Sequence, residues 1–305
     1  GGYPSANSEI PSLTLHLQNS DENWKYQCEL SEYERSLKKK RCPRGKGLGG
    51  SSLINFMIYF RGNRYDYDGW AQAGNEGWDF DSVLPYYKKF ENFQSENTDR
   101  FGKNGELHFT KAVETNPVLL KIKEAYKSLG YDDDYHEEKP VGTLSTFSSK
   151  LNGRRYNTAK AFLGKNIKNR PNLYVALNAQ VSKLLINEES IVNGIEVQLK
   201  NKLLKIYANN EVILSAGSVN SPQILMNSGI GPKRHLESLG IEVIKNLKVG
   251  ENLLDHVAIV GIYYKLNVSL PSNVNDLDNI YEYFMHGRGQ LSEMGFRSIA
   301  FINTN

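Results

Sequence analysis

The sequence predicts an α/β fold with a mixed sheet, and three observations predict it. Apolar residues recur near helical spacing in several segments, most clearly from Asn116 to Leu129. Between Leu173 and Leu214 the pattern changes to short apolar runs divided by Asn, Gly and charge, which is the mark of an antiparallel meander. The last of these runs passes through Ser215-Ala216-Gly217-Ser218 straight into a helical segment. Strand, tight small-residue turn and helix is the geometry that turns backbone N–H groups and a helix N-terminus toward a bound group.

The elements follow in chain order. Residues 21–44 are polar and charged, with Lys38-Lys-Lys-Arg41 among them, and read as an exposed connection. A glycine run, Gly45-Lys-Gly-Leu-Gly-Gly-Ser-Ser52, opens the apolar stretch Leu53 to Phe60, read as a helix. Asp81 is placed to cap a helix reaching Phe90. Residues 95–110 read as loop. The helix from Asn116 to Leu129 has Pro117 in its first turn and is ended by Gly130. A further helix is predicted over 158–168, capped by Asn157 or Thr158. The meander comprises Leu173–Leu177, Val181–Ile186, Ile191–Leu199, Lys202–Tyr207 and Glu211–Leu214. After it, Ser221 is read as a cap, Pro222 as the first turn and Gly229 as the end of a helix. Pro232 to Leu239 is the next, stopped by Gly240. The run from Ser298 to the last residue reads as a strand.

Length and composition bound the function. At 305 residues, with 39% hydrophobic and 23% charged side chains, the chain has a soluble, globular composition with a sizeable core. The net charge of +3, from 37 basic and 34 acidic residues, gives no global pull toward nucleic acid or membrane. No apolar run reaches the ~20 residues a membrane-spanning helix needs; Val257 to Leu266 comes nearest. The first residues carry no signal-peptide pattern, and both ends look cut. Cys28 and Cys42 read as two free thiols, with a single bridge as the alternative. No His or Cys spacing suggests a metal, and no G-x-S-x-G suggests a serine nucleophile.

Gly45, Gly47 and Gly50 match G-x-G-x-x-G literally, but a dinucleotide fingerprint follows a buried strand. Lys-Lys-Lys-Arg-Cys-Pro-Arg cannot be one, so a nicotinamide reading built on this run is unsafe. An anion site survives that objection. Glycines let the backbone approach closely, Ser51 and Ser52 offer hydroxyls, and a diphosphate is a natural guest. A glycine-rich turn with capping serines explains the same residues equally well.

Longer motifs decide the matter. Arg44-Gly-Lys-Gly-Leu-Gly-Gly-Ser-Ser-Leu-Ile-Asn-Phe-Met-Ile-Tyr-Phe-Arg-Gly62, followed by Asp68-Gly-Trp70, resembles the first signature of the glucose–methanol–choline (GMC) oxidoreductases. Gly217-Ser-Val-Asn-Ser-Pro-Gln-Ile-Leu-Met-Asn-Ser-Gly-Ile-Gly231 resembles the second. Gly74-Asn-Glu-Gly-Trp78, Leu84-Pro-Tyr-Tyr87, Ala161-Phe-Leu163 and Val249-Gly-Glu-Asn-Leu-Leu-Asp-His256 are similar to further landmarks, so the resemblance covers nearly the whole chain. Arg61-Gly62-Asn63 and Gly287-Arg-Gly-Gln-Leu291 resemble the insect glucose dehydrogenase-like branch (FAD, quinone).

The resemblance implies an FAD-binding Rossmann-like domain that lacks its first βα unit, carries the antiparallel β-meander, and is followed by the start of an α+β substrate-binding domain. Residues 1–256 would be mainly the FAD region and 257–305 the truncated substrate side. Carried over by residue, Gly49, Gly50, Ser51, Asn55, Phe56, Met57 and Ile58 would lie along the flavin and its diphosphate. Val181 would meet the adenine end, and Ala216 and Gly217 would sit at a strand end beside the cofactor. Asn55, in an apolar helix, would be a buried amide in need of partners. No histidine lies between His16 and His108, which favours noncovalent FAD. The family's dinucleotide fingerprint and its acidic ribose ligand are expected upstream, with Gly1-Gly2 resembling the glycines just past that acid. The catalytic histidine is expected downstream, so no catalytic residue is assigned here, His256 reads as structural, and the isolated chain is expected to be inactive. The intact enzyme would oxidise a small alcohol or sugar and pass electrons to a quinone or oxygen. A catalytically dead relative serving as a scaffold is the alternative. The branch resemblance and the sequon Asn267-Val268-Ser269 suggest secretion.

Overall fold

A computed structural model describes residues 1–29, 40–93, 99–112, 116–132, 136–164, 169–256, 258, 265, 267, 275–295 and 298–303. Helix and strand are mixed throughout, with parallel and antiparallel pairs, as the α/β reading expects. The strands form several small sheets of two or three members. Two compact units are present: Gly1–Tyr174 with Ser272–Asn305, and Val175–Pro271.

The first unit is built around stacked aromatic rings. Phe93, Phe101, Phe109 and Phe147 form a buried cluster, with Tyr59, Phe90, Leu107 and Leu144 packed on it. Phe93 stacks on Phe101 and Phe109 at centroid distances of 4.3 and 4.7 Å and meets Phe147 edge-on at 5.0 Å. Such pairs add ~0.5–1.5 kcal/mol each beyond their buried area. Short strands carry these rings to one place: Ile58–Tyr59 and Thr110–Lys111 flank Phe147–Ser148 in one sheet, and Glu91–Asn92 pairs in parallel with Leu107–His108. Two of those strands lie within the predicted loop 95–110, where no apolar alternation announces them.

Two helices cover this core. Asn63 caps Arg64–Gln72 by accepting from Asp66 N. Phe80–Phe90 is capped by Asp79, not by the expected Asp81: Asp79 accepts from Ser82 N at 3.0 Å, and Asp81, the second residue of the helix, binds Arg64 instead. The helix Pro117–Ser128, capped by Asn116, stands as predicted. Part of the polar connection 21–44 is ordered as an antiparallel pair, Tyr26–Cys28 with Lys40–Cys42; residues 30–39 lie outside the described set. Cys28 faces Lys40 and Cys42 faces Tyr26, and both thiols are free. Near the end of the chain, Asp276–His286 forms a helix capped by Asn275 and ended by Gly287 at φ 62°. Tyr283 from this helix is buried and donates to Glu9 O at 3.2 Å. Ser298–Phe301 is a strand, antiparallel to Gly142–Ser145.

In the second unit the meander has three strands, Ala179–Ile186, Val192–Leu199 and Lys202–Tyr207, in that order. Leu173–Leu177 and Glu211–Leu214, predicted to extend it, are not strands. Apolar residues there have no ladder partner among the described residues, and a strand exists only where a neighbour accepts its N–H groups. The helix Gly217–Asn227 packs on the first strand: Ser228 Oγ accepts from Leu184 N at 2.8 Å, and Asn227 Nδ2 donates to Ser182 O at 3.1 Å. This helix begins four residues before the expected cap. Ala216 is the cap, Ser221 Oγ accepts from Ala216 N at 3.0 Å, and Pro222 sits inside the helix. Gly229, at φ 83°, ends it as predicted. Lys233–Ser238 follows, with Gly240 at φ 70° behind it.

Candidate functional site

The glycine run folds as a tight turn rather than as the entrance to a long helix. Only Gly50–Leu53 is helical, as a single 3-10 turn, and Met57 adopts φ 61° before the strand Ile58–Tyr59 begins. The helix predicted over Leu53 to Phe60 is therefore absent, and with it the helix dipole expected at this turn. Gly49 and Gly50 take φ of 107° and 57°, which L side chains adopt only with strain. One i→i−4 bond forms after them, from Asn55 N to Ser51 O at 3.0 Å, and the positive φ of Met57 ends the turn there.

The glycines have different jobs. A Cβ on Gly45 would fall 2.1 Å from Gly50 O, so this glycine permits the run to fold against itself. A Cβ on Gly47 would meet the Leu53 side chain at 2.6 Å. A Cβ on Gly50 would meet nothing within 4 Å. Gly50 is thus turned toward open space, beside the exposed hydroxyl of Ser51. Ser51 Oγ accepts from Gly45 N at 3.1 Å, which leaves its own proton to donate. Ser52 faces inward: it donates to Gly49 O at 2.6 Å and accepts from Thr158 N at 3.1 Å.

Just beyond the turn lies a cavity of about 130 Å³ lined by Asn55, Met57, Ile58, Tyr59, Phe109 and Tyr156, among others. Asn55 is exposed at its edge rather than buried. Its Oδ1 accepts from Met57 N at 3.1 Å and from Arg155 Nη1 at 2.9 Å. Met57 is buried and Phe56 and Ile58 are half-buried. The structure thus brings Gly49, Gly50, Ser51, Asn55, Phe56, Met57 and Ile58 together along one turn and cavity edge.

The remaining expected residues lie in the second unit. Val181 is in the first meander strand opposite Val197, immediately before a register shift. Ala216 and Gly217 are exposed at the start of the helix Gly217–Asn227; no strand end precedes them. Gly217 has φ 89° and, like Gly50, open space where a Cβ would stand. That helix, ~16 Å long at 1.5 Å per residue, meets the strand of Val181 at its far end, so Gly217 and Val181 are set apart along it.

These features fit a nucleotide cofactor. The Ser51 hydroxyl is free to donate next to an apolar and aromatic cavity whose lining has no carboxylate among the described residues. Asn157 Nδ2 and Arg44 Nε, flanking the turn in sequence or space, are buried donors without a protein partner. Sequence reasoning missed Tyr156, Thr158 and Arg155. The Asn157 cap before Thr158–Phe162 was the available signal for that segment; nothing in the pattern marks Arg155 as buried. Among the described residues, no group of His, Cys, Asp or Glu is arranged to hold a metal, and no helix is long and apolar enough to cross a membrane.

Comparisons with known proteins identify the family. The chain matches the GMC oxidoreductase family over residues 36–258. It is 38% identical over 268 residues to glucose dehydrogenase [FAD, quinone] of Drosophila pseudoobscura pseudoobscura, covering 85% of this chain and 43% of that protein. It is 34% identical over 305 residues to oxygen-dependent choline dehydrogenase of Brucella melitensis biotype 1, covering 96% and 54%. Among solved structures it is similar to pyridoxine 4-oxidase from Mesorbium loti (TM-score 0.75, 27% identity, 81% of this chain and 49% of that one). Formate oxidase shares the fold (TM-score 0.78, 23% identity, 99% and 56%). The chain spans about half the length of the relatives it matches. With the family match extending over most of its residues and both signature segments in place, the chain belongs to the GMC oxidoreductases, a family that carries FAD.

Proposed function

We propose that this chain supplies much of the FAD-binding part of an oxidoreductase acting on the CH–OH group of an alcohol or sugar, with FAD held noncovalently. The observation that carries the reading is the turn of the first signature segment, where Gly50 stands at positive φ with open space in place of a side chain beside the exposed Ser51 hydroxyl and the cavity at Asn55 and Met57. Glycine at such a place lets backbone N–H groups approach a ligand that a side chain would hold off.

FAD, when bound, supplies the hydride acceptor. The protein's own residues do the rest. The Gly50 N–H is held by Gly47 O at 2.9 Å, so the Ser51 hydroxyl is the donor this turn offers to the diphosphate, with the open face of Gly50 letting it approach. Asn55, Phe56, Met57 and Ile58 shape the edge against which the ring system would rest, and the apolar walls of Met57, Tyr59 and Phe109 exclude water there. Val181 is read as meeting the adenine end through its backbone. Residues 257–305 are read as the start of the substrate side.

A proton must leave the substrate hydroxyl as the hydride departs, which calls for a base. His108 is poorly placed for this: it sits edge-on to Tyr156 at 4.9 Å, and burial lowers its pKa. We assign the base to a histidine in the part of the relatives' length that this chain does not span. The names of the relatives include both quinone and oxygen, and either is a suitable acceptor for the electrons.

The test is an absorption spectrum of the protein at the full length of its relatives, before and after anaerobic addition of glucose, choline and simple primary alcohols. An oxidised flavin band that bleaches with one of them supports the reading. A flavin that bleaches with none favours a catalytically inactive, scaffold-like relative. A folded protein without flavin overturns the reading.

A further inference from the structure

Arg155 is wholly buried, and every group it touches is neutral. Its Nε donates to Ser8 O at 2.9 Å. Its Nη1 donates to Ser52 O at 3.2 Å, to Asn55 O at 2.8 Å and to Asn55 Oδ1 at 2.9 Å. Its Nη2 donates to Thr14 Oγ1. Among the described residues no carboxylate forms an ion pair with it. Glu9, the acid nearest in sequence to these partners, is taken by Lys160 at 2.7 Å and Arg154 at 3.4 Å. An interior guanidinium without a counter-charge is costly, and proteins normally pair one. Burial, opposed only by the non-contacting carboxylate of Glu22, lowers its pKa to about 10, which still leaves it a cation at neutral pH.

The charge is held against one residue of the candidate site. Asn55 Oδ1 is shared between Arg155 and Met57 N. With the carbonyl end of the amide so fixed, the orientation of the whole group is fixed. Its Nδ2 has no partner among the described residues, and Asn55 lines the cavity with Met57 and Ile58. A guanidinium can only donate, so Arg155 forbids the flipped amide in which Nδ2 would point toward it.

We propose that Arg155 is a positioning residue: it holds Asn55 with its amide Nδ2 free to donate at the cavity beside Met57 and Ile58, and its buried charge, which no carboxylate contacts among the described residues, favours a bound group that becomes more anionic there. The inference rests on the reading that FAD lies against this cavity. A reduced flavin ring is more anionic than an oxidised one, so a fixed cation and a fixed donor beside it favour the reduced form.

The experiment uses the FAD-loaded protein at the full length of its relatives and reads the two-electron midpoint potential. Flavin retention in the wild type is established first, which tests the FAD reading separately: its absence overturns both readings. Asn55→Asp keeps an acceptor toward Met57 N and Arg155, deletes the donor and sets a carboxylate against the guanidinium. Asn55 is exposed, so the fold is retained, as a thermal melt will show. The expected result is a midpoint potential lower by at least about 30 mV, equivalent to a tenfold loss in relative affinity for reduced flavin. Arg155→Gln should lower the potential in the same direction, and Arg155→Lys, which keeps the charge, should restore most of it. Should Arg155→Gln fail to fold, Asn55→Asp decides alone. A folded, flavin-loaded Asn55→Asp protein with the wild-type potential overturns the proposal.

Discussion

Arg61 and Glu91 lie side by side in the interior, the guanidinium donating from Nε and Nη2 to the two carboxylate oxygens at 2.8 and 2.6 Å. The same carboxylate accepts from Tyr59 OH at 2.5 Å and from Gly102 N at 2.9 Å. Glu137 receives the remaining Arg61 nitrogen at 3.3 Å and also binds Arg100 at 3.0 Å. Burial first, and then the neighbouring Glu91, push the Tyr59 phenol far above its usual range, so it acts only as a donor. The knot ties the strand Ile58–Tyr59, inside the first signature, to the end of the helix Phe80–Phe90.

Removing one partner of this pair should be severe. Glu91→Ala leaves the buried Arg61 guanidinium with only the longer 3.3 Å contact to Glu137 as an ion pair, and the expected loss is about 3–5 kcal/mol in urea unfolding. The double variant Arg61→Met with Glu91→Leu should recover part of that loss, because no charge is then stranded. A single variant as stable as the wild type would contradict the burial described here.

The two acids at the start of the helix Phe80–Phe90 should separate cleanly. Asp79 accepts from both the backbone and the hydroxyl of Ser82, at 3.0 and 2.7 Å, whereas Asp81 only meets Arg64 at the surface. Asp79→Ala is expected to lower the melting temperature by about 2–4 °C, and Asp81→Ala by less. Differential scanning calorimetry of the two variants gives the comparison directly.

His108 makes stability depend on pH. Burial lowers its folded pKa below the ordinary 6.5, so just below that pH the unfolded chain binds the proton first. The favourable neutral form is present at higher pH, and its contribution is lost as pH falls from about 6.5 through the folded value. His108→Gln should therefore lose less stability than wild type between about pH 7.5 and pH 5. Parallel melting curves across that range, or the imidazole shifts in an NMR titration, will show it.

Gly50→Ala and Gly217→Ala should cost about 1 kcal/mol or somewhat more in stability from their positive φ alone. If their open faces receive FAD, each should weaken FAD binding well beyond that, by tenfold or more. Gly74→Ala is the control, since it too has positive φ and open space but lies outside the site. Flavin fluorescence titration on the three variants distinguishes the contributions.

Much of this was legible in the sequence where one rule acted alone. Pro117 after Asn116 set the start of a helix, and the runs up to Ile186, Leu199 and Tyr207 end where their strands end. Reading failed where long-range partners decide. Glu211–Leu214 has strand composition but no ladder partner among the described residues, and Leu53 to Phe60 has helical composition but is broken by the positive φ of Met57. The cap at Asp79 was missed because Asp81 satisfies the same rule, and only the competing bond to Arg64 tells them apart. Of the site, the glycine and Asn55 positions were visible through their motif. Arg155 was not, because burial of an arginine depends on carbonyls from residues 8, 52 and 55, far away in sequence.

The last strand of the meander bears on how this protein will behave in a tube. Lys202–Tyr207 is the free rim of its sheet, and Leu203, Leu204, Ile206 and Tyr207 are all exposed along it. A rim of that kind can template the same strand of a second molecule, and concentrated solutions would then turn cloudy. Lys202 and Lys205 stand within it as guards, since stacking two such rims would bring like charges together. Solubility should accordingly fall in high salt, where screening silences the lysines, and hold best in dilute buffer.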